Sequence, residues 1–358
     1  MKKLMLGVAA LLLALAPLSA CGQQTTTKTT KAPVTVKNPY EDTQFLMGTV
    51  VTIRVYDKGK KAALDKAFAR VKQLADEVTV NEKGSEVDAV NAQAGKKAVK
   101  VTPAVYRLIA YAKAYSDRSQ GAFDLAIGPI TSLWHIGFAD ARKPSQAEID
   151  ARLPLVNYHD VTLNAAKQTV YLKKPGMALD LGGIAKGFIT DEVVKVLKAN
   201  DVTTAIVDLG GNIYVLGHSP KQKNADWTVG IQDPKQSRGT AIGTVPASNK
   251  TVVTSGIYER KLVVAGHTYS HLMDPKTGYP FENNLMGVSI VTKKSVDGDA
   301  LSTATFDKGL VGGMAFIEKT HYADAIFVTK DKKVYVSSGL KKDFKLFKDS
   351  GYTLATLK

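Results

Sequence analysis

Apolar and polar residues alternate along this chain in three distinct rhythms. Leu4 to Leu15 is an apolar run, Gly22 to about Asn38 is mainly Gln, Thr and Lys with little to bury, and beyond Phe45 short extended runs mix with helical stripes. Phe45 to Tyr56 is β-rich, and Asp57-Lys58-Gly59 ends it as a turn. Leu64, Ala67, Phe68, Val71, Leu74, Ala75 and Val78 share one stripe and predict a long helix. Thr102 and Pro103 supply an N-cap and a first-turn proline for a second helix, which turns Val105, Leu108, Ile109, Ala112 and Tyr115 inward and stops near Gly121. Gly121 to Ile130 is too interrupted for a regular element and too apolar for an exposed loop, so it is expected to pack against the protein or a ligand.

The rest of the chain is arranged around Ala178-Leu179-Asp180-Leu181-Gly182-Gly183-Ile184-Ala185-Lys186-Gly187-Phe188. This reads as a short buried strand, a glycine turn, and a helix carrying Ile189, Val193, Val196 and Leu197 at i, i+4, i+7 and i+8. Such a joint aims free N–H groups above the turn, where pyrophosphate is the usual occupant; a tight connection with no ligand is the alternative. Ala205 to Val207, Ile213 to Leu216, Trp227 to Ile231, Thr251 to Thr254 and Lys261 to Val264 all look extended. Helices near Ala300 and Met314 and strands near Ile326 and Val334 follow. Helices and strands mix without strict alternation, which predicts an α+β fold of mixed, largely antiparallel sheets with packed helices, as a single unit of two tightly joined lobes.

Composition narrows the function classes. The 44% apolar and 23% charged content is that of a globular protein. Lys and Arg exceed Asp and Glu by 48 to 33, a balance suited to an anionic ligand or membrane surface, but the lysines are scattered in the manner of a solvated face. No basic-aromatic module points to nucleic acid. Lys2-Lys3 ahead of the short apolar run is the pattern of an export signal, not of a membrane span. Leu18-Ser19-Ala20-Cys21 resembles the bacterial lipoprotein lipobox, which implies cleavage before Cys21 and lipidation of its thiol. Cys21 is the only cysteine, so no intrachain disulfide can form. The expected organisation is a signal peptide over 1–20, a lipidated, disordered tether over 21–42 and one domain over 43–358, held extracytoplasmically on the bacterial cell membrane.

Three constellations can carry chemistry. In Asp297-Gly298-Asp299-Ala300-Leu301-Ser302-Thr303, a helix from about Asp299 places Asp299, Ser302 and Thr303 on one face, as hard-cation ligands or as a helix cap with hydroxyls bonded back. Ser270-His271-Leu272-Met273-Asp274-Pro275-Lys276-Thr277-Gly278 sets His271 ahead of a rigid turn, as a general base or as a hydrogen-bonded core histidine. Arg260, closing Ser255-Gly256-Ile257-Tyr258-Glu259-Arg260, neutralises a phosphate or makes a surface ion pair. No Cys/His spacing suits zinc, and Ser255 is not in a nucleophile elbow.

Taken in order with Met47-Gly48-Thr49, Gly121-Ala122-Phe123-Asp124, Gly128-Pro129 and Asp208-Leu209-Gly210-Gly211-Asn212, these motifs resemble the ApbE family of FAD:protein FMN transferases, some of which are flavin-trafficking lipoproteins. The resemblance implies FAD contacts at Met47, Ala122, Phe123, Asp124, Asp180, Lys186 and near His271-Leu272. It implies a magnesium site from the Gly183 backbone, Asp299, the Ser302 backbone and Thr303. His271 and Asp299 are then the catalytic residues, and FMN passes from FAD to a threonine of an acceptor protein through a phosphoester bond, releasing AMP. Hydrolysis of FAD to FMN and AMP, or flavin binding without catalysis, are the alternatives. Ala126, Ile257 and Asn81 depart from residues common in the family, so contacts there, including aromatic stacking at Asn81, are not implied.

Overall fold

The computed structural model describes residues 34–357 apart from 81 and 223, so the expected signal, Cys21 and Asn81 lie outside the described residues. A nine-stranded sheet forms the middle layer, in spatial order Thr35–Leu46, Thr49–Asp57, Ala205–Leu209, Asn212–Leu216, Lys250–Gly256, Leu285–Thr292, Ala323–Thr329, Lys333–Val336 and Thr353–Leu354. Every neighbouring pair is antiparallel except the last. Alternation sends Val51, Ile53, Val55, Val288, Ile290 and Phe327 to a helical layer on one face. It sends Val215, Val252, Val291, Ile326 and Val328 to the other, where Trp227, Val229, Ile231, Ile242 and Val245 of a three-stranded sheet cover them. The expected α+β fold with antiparallel sheets is therefore the one observed, and the described residues belong to one compact unit.

Eight α-helices are present among the described residues: α1 (Lys61–Val78), α2 (Glu86–Ala92), α3 (Pro103–Ser119), α4 (Gly128–Trp134), α5 (Gln146–Arg152), α6 (Ala185–Ala199), α7 (Ser295–Asp307) and α8 (Gly309–Glu318). The stripe on α1 is buried as its period predicts. Thr102 caps α3 by accepting from Val105 N, and Gln120 ends it in a left-handed conformation just before Gly121.

In three places the chain departs from the sequence reading. Phe45 to Tyr56 is not one extended stretch: Met47 and Gly48, at φ 54° and 67°, fold it into a hairpin that pairs Leu46 with Thr49. Both central residues sit at positive φ, as the tightest hairpin turns require, but Met-Gly lacks the usual Asn-Gly signature. The tether expected to reach residue 42 gives way at Thr35, because a strand whose side chains face water is held by its main-chain pairing and leaves no apolar trace.

The third departure is at the centre. Ala178 to Asp180 forms no ladder, only one parallel bridge between Ala178 and Ile127. Instead, Gly128 N donates to Ala178 O at 3.1 Å and Asp180 N to Leu125 O at 3.0 Å. The Asn91 side chain takes the place of a neighbouring strand, accepting from Leu179 N at 2.7 Å and donating to Leu179 O at 3.0 Å. A Cβ on Gly128 would stand 2.6 Å from Ala178 O, so only glycine permits this approach. Asn91→Ala orphans both main-chain groups of the buried Leu179, and a loss of roughly 1–3 kcal/mol for each is expected in urea unfolding of the purified domain. An unchanged midpoint would show that water replaces the amide without cost.

Candidate active site

Neither α6 nor α7 carries its own side-chain cap: Ile184 and Lys294 precede them and offer none. Each helix borrows a carboxylate from the other. Asp299, in the second turn of α7, accepts from Gly187 N at the start of α6, with Oδ2 at 2.8 Å. Asp191, in the second turn of α6, accepts from Ser295 N at 2.8 Å and Val296 N at 3.0 Å at the start of α7. A Cβ on Gly187 would lie 2.3 Å from Ser295 O and 2.8 Å from the Asp299 Cβ, so the crossing demands glycine. Asp299 is thus a cap for a different helix from its own, since α7 begins at Ser295 rather than at about Asp299.

Asp299 is only 3% exposed, and its other oxygen, Oδ1, lies 3.6 Å from Lys186 Nζ. That ammonium also donates to Gly182 O at 3.1 Å. Asp180 holds the turn by accepting from Gly182 N at 2.8 Å. Behind the turn, a Cβ on Gly183 would lie 3.2 Å from both Thr303 Oγ1 and the Phe123 ring, so the missing side chain brings α7 and the glycine backbone together. Ser302 is fully buried: its hydroxyl donates to Asp299 O at 2.8 Å and lies 2.7 Å from Ser255 Oγ, and its carbonyl belongs to the helix ladder.

His271 sits above the same helix end. Its ring Nδ1 is 3.3 Å from Arg260 O, and a carbonyl can only accept, so Nδ1 carries the proton and Nε2 keeps the free lone pair. Burial, then the positive charges of Arg260 and Lys186, push its pKa down to about 4. The imidazole is therefore neutral at neutral pH. Arg260 reaches the hairpin turn, where Nη2 approaches Gly48 O at 3.3 Å and Met47 O at 3.5 Å, and its stem packs on Gly137. No carboxylate pairs with Arg260 among the described residues, so the surface-pair alternative does not describe it.

Other expected contacts are less open. Asp124 is buried with both oxygens engaged, Oδ1 by Ala126 N at 2.7 Å and Oδ2 by Tyr158 N at 3.1 Å, and burial raises its pKa. Ala122, Phe123 and Leu272 are buried in the core that backs the turn. These residues are packed inside, whereas Lys186 with Asp299, Gly183 with Thr303, and Arg260 with the Met47 turn and His271 form a linked set of contacts. One participant escaped the sequence reading, Asp191 as a cap; Arg260, read there as a phosphate or ion-pair residue, serves also as the strut to the Met47 turn. Asp191 follows Gly187 by four residues, one helical turn, which is the only local signal of its role.

Among the described residues no group of three or more His, Cys, Asp and Glu converges. The expected magnesium set contains one carboxylate and is otherwise hydroxyl and carbonyl, so it is not such a group. Its chemistry nonetheless fits a hard cation: every donor is oxygen, Asp299 Oδ1 meets only an ammonium beyond hydrogen-bond length, and Gly183 leaves its backbone bare beside Thr303.

The model of the ApbE family matches residues 47–327. The chain belongs to the ApbE family. It is 38% identical over 313 residues to the FAD:protein FMN transferase of Klebsiella pneumoniae (strain 342), covering 87% of this chain and 96% of that protein. The FAD:protein FMN transferase of Treponema pallidum (strain Nichols) is 37% identical over 316 residues, covering 84% and 87%. The crystal structure of the ApbE protein of Thermotoga maritima superposes with a TM-score of 0.78 at 28% identity, over 85% of this chain and 98% of that one. The ApbE match includes every expected site residue from Met47 to Thr303.

A depressed histidine has a defined pH signature. An unfolded chain protonates His271 near 6.5 and the native protein only near 4, so the unfolded state binds the extra proton between those values. The stability contributed by neutral His271 is present above about 6.5 and is lost as pH falls towards 4. Imidazole NMR of the ligand-free domain is expected to show one ring neutral down to about pH 5. A His271 midpoint at or above 6.5 would contradict the electrostatic surroundings described here.

Proposed function

We propose that this protein is an FAD:protein FMN transferase that moves FMN from FAD to the hydroxyl of a threonine in an acceptor protein. The observation that carries the reading is the meeting of the α6 N-terminus, Lys186, Arg260 and neutral His271 beside Asp299, within a chain of the ApbE family. The N–H groups expected to be free at this turn are largely taken, Ile184 N and Ala185 N by Leu181 O and Gly187 N by Asp299, so it is the two cations that suit a pyrophosphate, whose charge grows on the leaving side as a phosphoryl group transfers. His271 Nε2 accepts the proton of the acceptor hydroxyl. The hydroxyl oxygen then attacks the phosphorus of the FMN moiety, the bond from that phosphorus to the bridging oxygen breaks, and AMP departs with that oxygen. Lys186 and Arg260 hold the charged oxygens in line, while the buried wall of Ala122, Phe123 and Leu272 excludes water from behind. Gly183, Asp299, Ser302 and Thr303 would hold magnesium, which when bound neutralises phosphate charge.

Purified domain incubated with FAD, magnesium and a threonine-bearing acceptor should yield an FMN adduct by mass spectrometry. His271→Ala should slow transfer by ~10²–10⁴-fold with FAD and magnesium affinity nearly kept. Asp299→Ala should abolish turnover while flavin binding survives. FMN and AMP without an adduct would assign a hydrolase, and stoichiometric FAD binding without turnover would assign a carrier.

The same reading places the enzyme outside the cytoplasm, tethered through lipidated Cys21, with an acceptor in that compartment. Among the described residues no helix is long and apolar enough to cross a membrane. Support comes from Lys2-Lys3, the apolar run and Leu18-Ser19-Ala20-Cys21. Cys21→Ala should move the protein to the soluble fraction with its transferase rate intact; retention in washed membranes would rule out this anchor.

A further inference from the structure

The two borrowed caps differ in one respect: Asp299 has a proposed role in chemistry, and Asp191 has none. Asp191 nevertheless accepts from two consecutive amides, Ser295 N and Val296 N, at the end of α7 that has no cap of its own. Ser295 is further tied into the sheet, its hydroxyl donating to Asn212 Oδ1 and lying 3.1 Å from Thr251 Oγ1. Asp191 is therefore the link by which α6 fixes the start of α7, one turn ahead of Asp299. The return link, Asp299 to Gly187, closes a loop of hydrogen bonds around the helix crossing. Within that loop lie the distances that set the site, Lys186 to Asp299 at 3.6 Å and Gly183 against Thr303.

We propose that Asp191 is a positioning residue, which through the start of α7 holds Asp299 and Thr303 against the Gly183 backbone so that one hard cation can be shared between the helices. The inference rests on the magnesium reading above. Asp191 is spent on the Ser295 and Val296 amides and stands outside the proposed magnesium and flavin contacts. Removing a partner that orients a metal ligand commonly lowers metal affinity by ~10–100-fold.

A control exists at the end of the Thr49–Asp57 strand. Asp57, 2% exposed, also accepts from consecutive amides, Thr203 N at 3.0 Å and Thr204 N at 2.8 Å. Asp191→Asn turns an NH2 towards one of the two amides shared between Oδ1 and Oδ2, Asp57→Asn weakens the single oxygen, Oδ2, that takes both Thr203 N and Thr204 N, and both should lower the melting temperature. Only Asp191→Asn should raise the magnesium half-saturation of FAD turnover, by roughly 10-fold or more, with the rate regained at excess magnesium. In the ligand-free protein, only Asp191→Asn should speed hydrogen exchange of the Gly187 amide, because Asp299 loses its register. Asp191→Glu, which keeps the charge but shifts it by a methylene, should show the same two effects and serves if the amide variant does not fold. A magnesium midpoint within twofold of wild type, with Gly187 still protected, overturns the proposal. If wild type turns over FAD without magnesium, the metal reading fails, and Gly187 exchange still decides whether Asp191 positions Asp299.

Discussion

Two helices that cannot cap themselves, and so cap each other, are the constraint from which the site follows. Four amide donors open each helix end, and burying them without acceptors is costly. Asp191 and Asp299 answer that cost across the interface, and each answer works only if the other helix is in register. Gly187 allows the crossing to be close enough. A carboxylate is thereby pulled into a position 3% exposed, beside a lysine and a bare glycine turn, which no isolated helix could arrange.

The charge around this carboxylate is unbalanced by design of the fold rather than by composition. Lys186 has one buried acidic neighbour, Arg260 meets only carbonyls, and His271 is held neutral first by burial and then by both cations. Such a charge arrangement suits an anion. An arriving anion would relieve the same two charges that depress His271, so binding and basicity are coupled through Lys186 and Arg260. Structural acids such as Glu192, shared among Arg70, Arg107 and Lys195 on the opposite face of α6, are by contrast already compensated.

Departures from common ApbE residues have quiet local explanations. Ala126 is wholly buried and its amide is spent on Asp124, so a methyl fills the place without needing a partner. Ile257 packs at the margin of the main core, with its amide bonded to Met286 O.

By itself the sequence determined the helices with long stripes, the strands of the main sheet after Ala205, the α+β class, and the motifs that carry the family resemblance. Period and turn chemistry are local, and burial follows them directly. It also named candidate site residues, but not their arrangement: Asp299 was legible as an oxygen ligand or a cap, and is a cap of a helix more than a hundred residues away along the chain. The strand expected at Ala178 to Asp180 became a segment pinned by Asn91, because a side-chain amide can satisfy a main-chain pair as well as a strand does. The first strand's start at Thr35 and the hairpin at Met47-Gly48 were decided by pairing between main chains, which apolar periodicity does not record. His271 could be named from its motif, yet its neutrality depends on burial and then on the charges of Arg260 and Lys186, and the freedom of Nε2 on the Arg260 carbonyl at Nδ1, all of which only the tertiary fold brings to the same ring.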